Sequence, residues 1–543
     1  MRRFDSEGKA IPKVIVALLV ATLFLAAFYP VDVRSGIYTS TKHGTDADRN
    51  VLSVPGFPYT TKGHCGHCHE EHASIGGSEP TPPAEEGPSS YALFRSNYGA
   101  NKNELCHACH ETFILDNMPL GFGRYGIYQG KAAYDGSVHS TSSQMLWSPD
   151  PAPPGPSHED AGNCNNCHNP HGYADGLGLI PSMLFAREEE GCEACHDGTQ
   201  GGVSKNVKAE LDKTYAHPVH EYNDRHSLPE HGQPGGSSFG PDNRHAECAD
   251  CHNPHAAGPI GSVHTPPGNG ISDVLRGVWG VEPSWPSLWS QPTSFTEMKP
   301  PVYPEGSDFE YQICLKCHSY YGLGTLTDGV SLIIGPSGTQ ITDQAWEFNP
   351  NNKSAHPVAV ALSSQTGSYE PQPLAASQAM VSPWGPGGDQ VMYCSDCHGG
   401  EEGIQEPSGP HGSNYKYMLK DWPTKPGGTP WLLNPADAGN TDLFCNNCHV
   451  VFDGINWGNN VHAGSNHQMQ NIPCVGCHVA VPHGSKRSRL IGYASDPAPY
   501  NYNGNSLLVL GFTKAATPDG YETTNCQTSC HVSHSSPVAG ADP

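Results

Sequence analysis

One apolar run stands apart from the rest of the chain. Val14 to Tyr29 carries no charge and follows Arg2, Arg3, Lys9 and Lys13. Its length lies between the apolar segment of an export signal and a full membrane span, and the basic flank should stay on the cytoplasmic side. Residues 1–36 therefore read as a signal peptide or as an N-terminal membrane anchor, with Val33-Arg34-Ser35 a weak cleavage site. Farther on, apolar residues come in short patches such as Met183–Phe185 and Tyr417–Leu419. The best strand pattern is Gly504 to Phe512, with Leu507 to Leu510 at its centre. Proline- and glycine-rich linkers at 78–90, 148–156, 266–270 and 383–388 exclude long helices and central strands there. The stretch from Thr265 to Glu310, with Trp279, Trp285 and Trp289, reads as a long packed loop, with a partner-binding surface as the lesser reading. The pattern predicts mostly irregular coil with short helices.

Composition sharpens this picture. Among 543 residues there are 62 Gly and 50 Pro, while 36% are hydrophobic and 15% charged. Such a chain buries too little to offset its conformational entropy unless a non-protein group fills the interior. The other excess is in 20 Cys and 31 His. The cysteines fall into ten pairs: Cys65/Cys68, Cys106/Cys109, Cys164/Cys167, Cys192/Cys195, Cys248/Cys251, Cys314/Cys317, Cys394/Cys397, Cys445/Cys448, Cys474/Cys477 and Cys526/Cys530. A histidine follows each at once: His69, His110, His168, His196, His252, His318, His398, His449, His478 and His531. Nine pairs read C-x-x-C-H, and the tenth has one extra residue between its cysteines.

C-x-x-C-H is the attachment signal of c-type haem. The two thiols form thioethers with the vinyl groups, and the adjacent imidazole ligates the iron. Four-cysteine zinc sites or a disulfide lattice would use the cysteines equally well, but neither explains a histidine after every pair. The expectation is ten covalently attached c-type haems, one short helical turn at each, with the flat apolar porphyrins acting as local hydrophobic cores. Thioethers are formed beyond the cytoplasmic membrane. The chain should therefore be exported, to the periplasm or the cell exterior, with or without the N-terminal helix as an anchor.

The motifs group in twos, giving five two-haem repeats at 43–110, 139–196, 217–318, 356–449 and 462–531. Such self-similarity argues for an elongated, repeat-built architecture. Ten further histidines recur with the repeat. His43, His139, His217, His356 and His462 precede the first motif of each unit, and His72, His171, His255, His411 and His483 follow it. They are the candidate second iron ligands, with the remaining histidines, His107 and His220 among them, as alternatives. A histidine three residues beyond a motif histidine, such as His255 after His252, cannot easily pass round its own porphyrin. It should ligate a neighbouring haem instead.

The segments at 164–172 (C-N-N-C-H-N-P-H-G) and 248–256 (C-A-D-C-H-N-P-H-A), with Ala-His-Pro-Val at 216–219 and 355–358, resemble the doubled-CXXCH multihaem c-type cytochromes. The resemblance spans nearly all of 43–534. It departs in the fourth and fifth units, where Gly399-Gly400 and Val479–Val481 replace N-P-H, although P-H-G recurs at His411 and His483. It implies exported bis-histidine haems in a chain that moves electrons, in some members in extracellular respiration or in filaments.

Two functions then compete. In the first, every iron is six-coordinate and the chain is an electron conduit for anaerobic or extracellular respiration. In the second, it is an oxidoreductase with one open haem acting on a small nitrogen or sulfur oxyanion. Pentahaem nitrite reductases mark their open haem with a motif lysine; no C-x-x-C-K occurs here, and histidines exceed irons more than twofold, which favours the conduit. None of the 9 Met is placed as a repeated ligand, so low potentials are expected. The expected partners are redox proteins or extracellular, insoluble acceptors, with self-assembly into filaments and N-terminal membrane contact also in view. A net charge of −25 excludes nucleic acid and suits a partner with a basic docking face.

Overall fold

A computed structural model describes 38, 41, 43, 103, 106–107, 110, 131–141, 162–175, 178–180, 183–199, 206–220, 246–259, 268–298, 306–324, 330–331, 341–361, 384, 390–400, 409–420, 444–449, 474–501, 508–514, 525–529 and 541. The apolar run at 14–29, the linkers at 78–90 and 148–156, and Cys65, Cys68, His69, His72, Cys109, His462, Cys530 and His531 lie outside these residues. No helix among the described residues is long and apolar enough to cross a membrane. The chain divides into two compact units, one of Met1–Cys109, Trp147–His158 and Asn163–Gly191, the other of His110–Leu146, Glu159–Gly162 and Cys192–Pro543.

Most described residues are coil and turn, as the proline and glycine content dictates. The α-helices are α1 (Lys131–Asp135), α2 (Val138–Thr141), α3 (Glu188–His196), α4 (Val207–Leu211), α5 (Cys248–Cys251), α6 (Glu310–Cys314), α7 (Tyr320–Leu323) and α8 (Gln344–Glu347). The longest, α3, opens on Glu188, Glu189 and Glu190, negative charges that suit the N-terminal end of its dipole. Side-chain caps start others: Asn206 accepts from Ala209 N, and Asp343 from Trp346 N.

Strands are paired in twos, all antiparallel: β1 (Ala174–Asp175) with β2 (Gly178–Leu179), β3 (Tyr215–Ala216) with β9 (Gly412–Ser413), and β4 (Gly280–Pro283) with β5 (Phe295–Met298). The rest are β6 (Val330–Ser331) with β7 (Ile341–Thr342), β8 (Ser354–Ala355) with β10 (Gly484–Ser485), and β11 (Val509–Phe512) with β12 (Cys526–Thr528). A two-residue ladder contributes little stability alone. These ladders fix register between segments far apart in sequence.

Three expectations change. The Thr265–Glu310 stretch is not a loop: β4 and β5 form a hairpin whose Val281 is fully buried. Trp279 and Trp285 pack with Tyr311, Leu315, Tyr321 and Phe348 around it. A true side-chain core therefore exists in the second unit and the interior is not left to cofactors alone. The strand expected over 504–512 is observed at Val509–Phe512. Its partner is the third change, because Cys526 starts a strand and not a helical turn. Gly511 and Phe512 pair with Gln527 and Cys526, holding Cys526–Thr528 extended.

Candidate functional site

Each described motif before the tenth begins as one tight turn. Cys164–Asn166, Cys394–Asp396, Phe444–Asn447 and Cys474–Gly476 are 3-10 turns, Cys248–Cys251 is α5, Cys314 ends α6, and α3 carries Cys192, Cys195 and His196. The turn bonds recur: the backbone N–H of His168, His252, His318, His398, His449 and His478 each donates to the carbonyl of the first cysteine of its motif at 2.9–3.0 Å. Two thiols and the following imidazole thus leave the same turn.

The second cysteines are fixed by the same turns. The backbone N–H of Cys167, Cys317, Cys448 and Cys477 donates to the first cysteine's carbonyl at 3.1–3.2 Å. The carbonyls of Cys167 and Cys477 in turn accept from Phe185 N at 3.1 Å and Gly492 N at 3.0 Å, which ties an apolar patch to each turn. Cys167 is exposed, Cys317 and Cys477 are only half-buried, and none of the three is in a disulfide. Cys164, Cys314 and Cys474 each hydrogen-bond a thiol of another motif. Cys477 gains partial cover from Ile491 and Tyr493.

The apolar patches have a definite task. Leu184, Leu419 and Ile491 form single β-bridges to His168, His398 and His478. Tyr417 and Met418, and likewise Arg489 and Leu490, take successive positive φ values, a left-handed bend that is costly for side chains other than Gly. The bend turns a carbonyl onto the imidazole. His398 Nδ1 bonds Tyr417 O at 2.8 Å and His478 Nδ1 bonds Arg489 O at 2.9 Å. His252 Nδ1 meets Val274 O at 3.2 Å in the third repeat.

The histidines preceding the motifs are held alike. In the first compact unit, His43 Nδ1 bonds Pro170 O at 3.2 Å. In the second, His139 Nδ1 bonds Pro254 O at 2.8 Å, while His217 and His356 bond Pro410 O and Pro482 O. Each of these prolines stands just before a following-class histidine: His171, His255, His411 and His483. The β3–β9 and β8–β10 ladders continue the arrangement, His217 N donating to His411 O and His356 N to His483 O. A preceding-class histidine of one repeat therefore lies beside a following-class histidine of the next. An imidazole that donates Nδ1–H to a carbonyl keeps Nε2 unprotonated, the state a metal requires.

The ring separations then order the pairs. His139 and His196 have centroids 6.3 Å apart, as do His217 and His318, and His356 and His449. His252 faces His411 at 5.9 Å, and His398 faces His483 at 6.0 Å. Two imidazoles bonded through nitrogen to one ion at about 2 Å each have centroids about 6 Å apart. The donors present therefore fit a bis-histidine iron. Two of the following-class residues, His411 and His483, face the earlier motif histidines His252 and His398.

Burial keeps these imidazoles neutral. His139, His217, His252, His356 and His478 lie below the ordinary histidine value because of it, and His196 and His398 are pushed down to about 4. Burial likewise pushes the thiols of Cys251 and Cys397 up to about 12. Thiols of different motifs meet in pairs: Cys106 bonds Cys164, Cys314 bonds Cys394, and Cys445 bonds Cys474. Among the described residues, the one cluster of donors close enough to hold an ion directly is Glu310, Cys314 and Cys394. No four-cysteine zinc site forms there.

Sequence reasoning missed the groups behind the ligands. The carbonyls of Val274, Tyr417 and Arg489 carry no sequence signature, and Glu347, which bonds His483 Nδ1 at 2.5 Å, lies 136 residues away from it.

Among curated proteins and among solved structures nothing matches this chain. A family model, the doubled CXXCH motif, matches residues 156–201, the segment that holds Cys164 to His168 and Cys192 to His196. The chain thus carries the paired haem-attachment motif found in multihaem c-type cytochromes.

Proposed function

We propose that this protein is an exported decahaem c-type cytochrome that conducts electrons along a row of bis-histidine haems, in anaerobic or extracellular respiration. The observation that carries this reading is the recurrence of one ring separation, 6.3 Å, at His139–His196, His217–His318 and His356–His449. In this reading the motif cysteines hold each haem covalently and the motif histidine is its first axial ligand. The preceding-class histidine is the second ligand for the second haem of its own repeat. The following-class histidines His411 and His483 would serve the haems at Cys248/Cys251 and Cys394/Cys397, the first haems of the third and fourth repeats. When bound, the haems supply one-electron exchange at iron.

The protein side chains do the positioning. The paired strands place His217 beside His411, and His356 beside His483, so the second ligands of the two haems of one repeat are adjacent. The closeness of Cys314 to Cys394 and of Cys445 to Cys474 would bring the last haem of one repeat near the first of the next. Close approach thus alternates between two devices along the chain. Electrons would pass to redox proteins with a basic face, or to extracellular acceptors, steered by the net charge of −25.

The test combines three measurements on the purified protein. Intact mass after denaturation should report ten haems with no free thiol. The reduced protein should bind no carbon monoxide appreciably and should not turn over nitrite or hydroxylamine, yet should reduce large outer-sphere acceptors quickly. Stoichiometric high-spin haem with turnover of a small oxyanion would replace the conduit by an enzyme.

A further inference from the structure

The α4 and α8 helices occupy matching places in successive repeats. Each ends in or next to a glutamate whose carbonyl abuts a strand glycine: a Cβ on Gly412 would lie 1.9 Å from Glu210 O, and one on Gly484 would lie 1.8 Å from Glu347 O. Glu210 and Glu347 are therefore structural counterparts. Their carboxylates have different partners. Glu210 Oε2 accepts from Lys213 Nζ at 2.8 Å, an ion pair with a close neighbour in sequence. Glu347 is fully buried; its Oε2 accepts from His483 Nδ1 at 2.5 Å and its Oε1 from Tyr500 Oη at 2.7 Å.

Both partners of Glu347 are donors and both its oxygens accept, which is the arrangement of an ionised carboxylate. Phe348 packs on the His483 ring, 4.8 Å between centroids, and Asn352 Nδ2 holds the Glu347 carbonyl at 2.8 Å. The imidazole and carboxylate are thus fixed relative to each other. The Nδ1 bonds of His43, His139, His217, His356, His252, His398 and His478 go instead to neutral backbone carbonyls: Pro170, Pro254, Pro410, Pro482, Val274, Tyr417 and Arg489. A charged acceptor makes a stronger hydrogen bond than a neutral one and raises the basicity of the ligating nitrogen.

We propose that Glu347 is a positioning residue that, through His483, holds the haem attached at Cys394 and Cys397 at a lower reduction potential than its counterpart at Cys248 and Cys251. The inference rests on the bis-histidine reading of His398 and His483. The carboxylate draws the Nδ1 proton toward itself, Nε2 donates more strongly, and the ferric state gains over the ferrous. Reduction remains the uptake of one electron from the redox partner, with no ligand exchanged. The row of haems then has a built-in step at this position, set by one glutamate. Tyr500 limits the effect, because its hydroxyl shares the charge.

The test is a spectroelectrochemical titration of the intact holoprotein, with spin state followed by electron paramagnetic resonance. Glu347→Gln keeps a hydrogen-bond acceptor and removes the charge. One component should move to higher potential by at least tenfold in its equilibrium constant, 59 mV for one electron, with all haems still low-spin. Tyr500→Phe should move the same component the other way, a sign that a merely structural role would not give. Glu210→Gln should move none. His483→Ala reads the underlying assignment by producing one high-spin haem. If it does so while neither Glu347→Gln nor Tyr500→Phe shifts a component, the tuning role is overturned and the ligand assignment stands. If His483→Ala leaves every haem low-spin, the ligand assignment itself is wrong.

Discussion

Gly412→Ala should damage a haem site without touching a ligand. Gly412 lies in β9 directly after His411, and its φ is not left-handed, so the constraint is space and not backbone strain. The new methyl would sit 1.9 Å from Glu210 O and 2.8 Å from Glu210 C, against an ordinary contact of at least 3.4 Å. Both obstacles are backbone atoms at the end of α4, so no side chain can swing away. Either α4 retreats by about 1.5 Å or β9 leaves β3. Overpacking of this kind costs about 1–3 kcal/mol. Loss of the His217 N to His411 O bond, 3.1 Å long, adds about 1 kcal/mol. Thermal unfolding followed by circular dichroism should show the loss, and optical spectra should show partial high-spin character as His411 moves from His252. Gly511→Ala is the control, because its Cβ would meet nothing closer than 3.4 Å. A Gly412→Ala protein with wild-type melting and fully low-spin haems would refute the claim that this helix–strand contact positions the ligand.

Three more outcomes are expected. Burial pushes Asp343 up to about 7 from 3.8, so the folded state binds its proton more tightly and this group's contribution to stability falls as pH rises from about 4 to about 7. Asp343→Asn retains a capping side chain and removes that charge, so its stability relative to wild type should improve over the same window by up to a few kcal/mol; a difference that does not vary with pH refutes it. Asp496→Ala should cost about 3–5 kcal/mol in chemical denaturation, because Arg487, 3% exposed and bonded twice at 2.7 Å, keeps its buried charge. Electron transfer to a cationic partner should slow as salt rises, since the chain carries −25 and the Debye length is about 10 Å at 0.1 M; a rate indifferent to salt between about 10 and about 200 mM would rule out steering.

The local chemistry was legible because it is written in contiguous residues. A cysteine pair and the histidine after it share one turn, so spacing alone placed them. What packs beside a thiol was not legible, since it comes from another segment: Cys477 has Ile491 and Tyr493 beside it. The preceding- and following-class histidines were legible as two recurring sets, but their pairing was not. His217 meets His411 through a ladder linking Tyr215 to Ser413, and a two-residue strand has too short a pattern to announce a partner so far away. The Val281 hairpin was hidden by its own prolines: Pro283 and Pro286 suggest a loop, whereas Pro283 in fact closes the strand at its edge. The tenth motif reads as a stretched version of the others, yet its first three residues, Cys526–Thr528, pair with β11 as a strand. The family match confirms the motif type at 156–201, a segment where N-P-H-G is intact.

The β3–β9 ladder also has a meaning in time. His217 enters the growing chain before Cys248, Cys314 and their partner cysteines, while Pro410, whose carbonyl it bonds, follows 193 residues behind it. A chain delivered from its N-terminus would present both attachment motifs of that stretch before the strand that completes their surroundings exists. Ligation alone would let a cofactor escape during the interval, since a half-built pocket offers one imidazole and little burial. Thioether bonds do not depend on the fold. Attachment at cysteine can therefore precede folding, and the tethered plate becomes a fixed point on which the later strand closes, so the order of synthesis and the order of assembly need not agree.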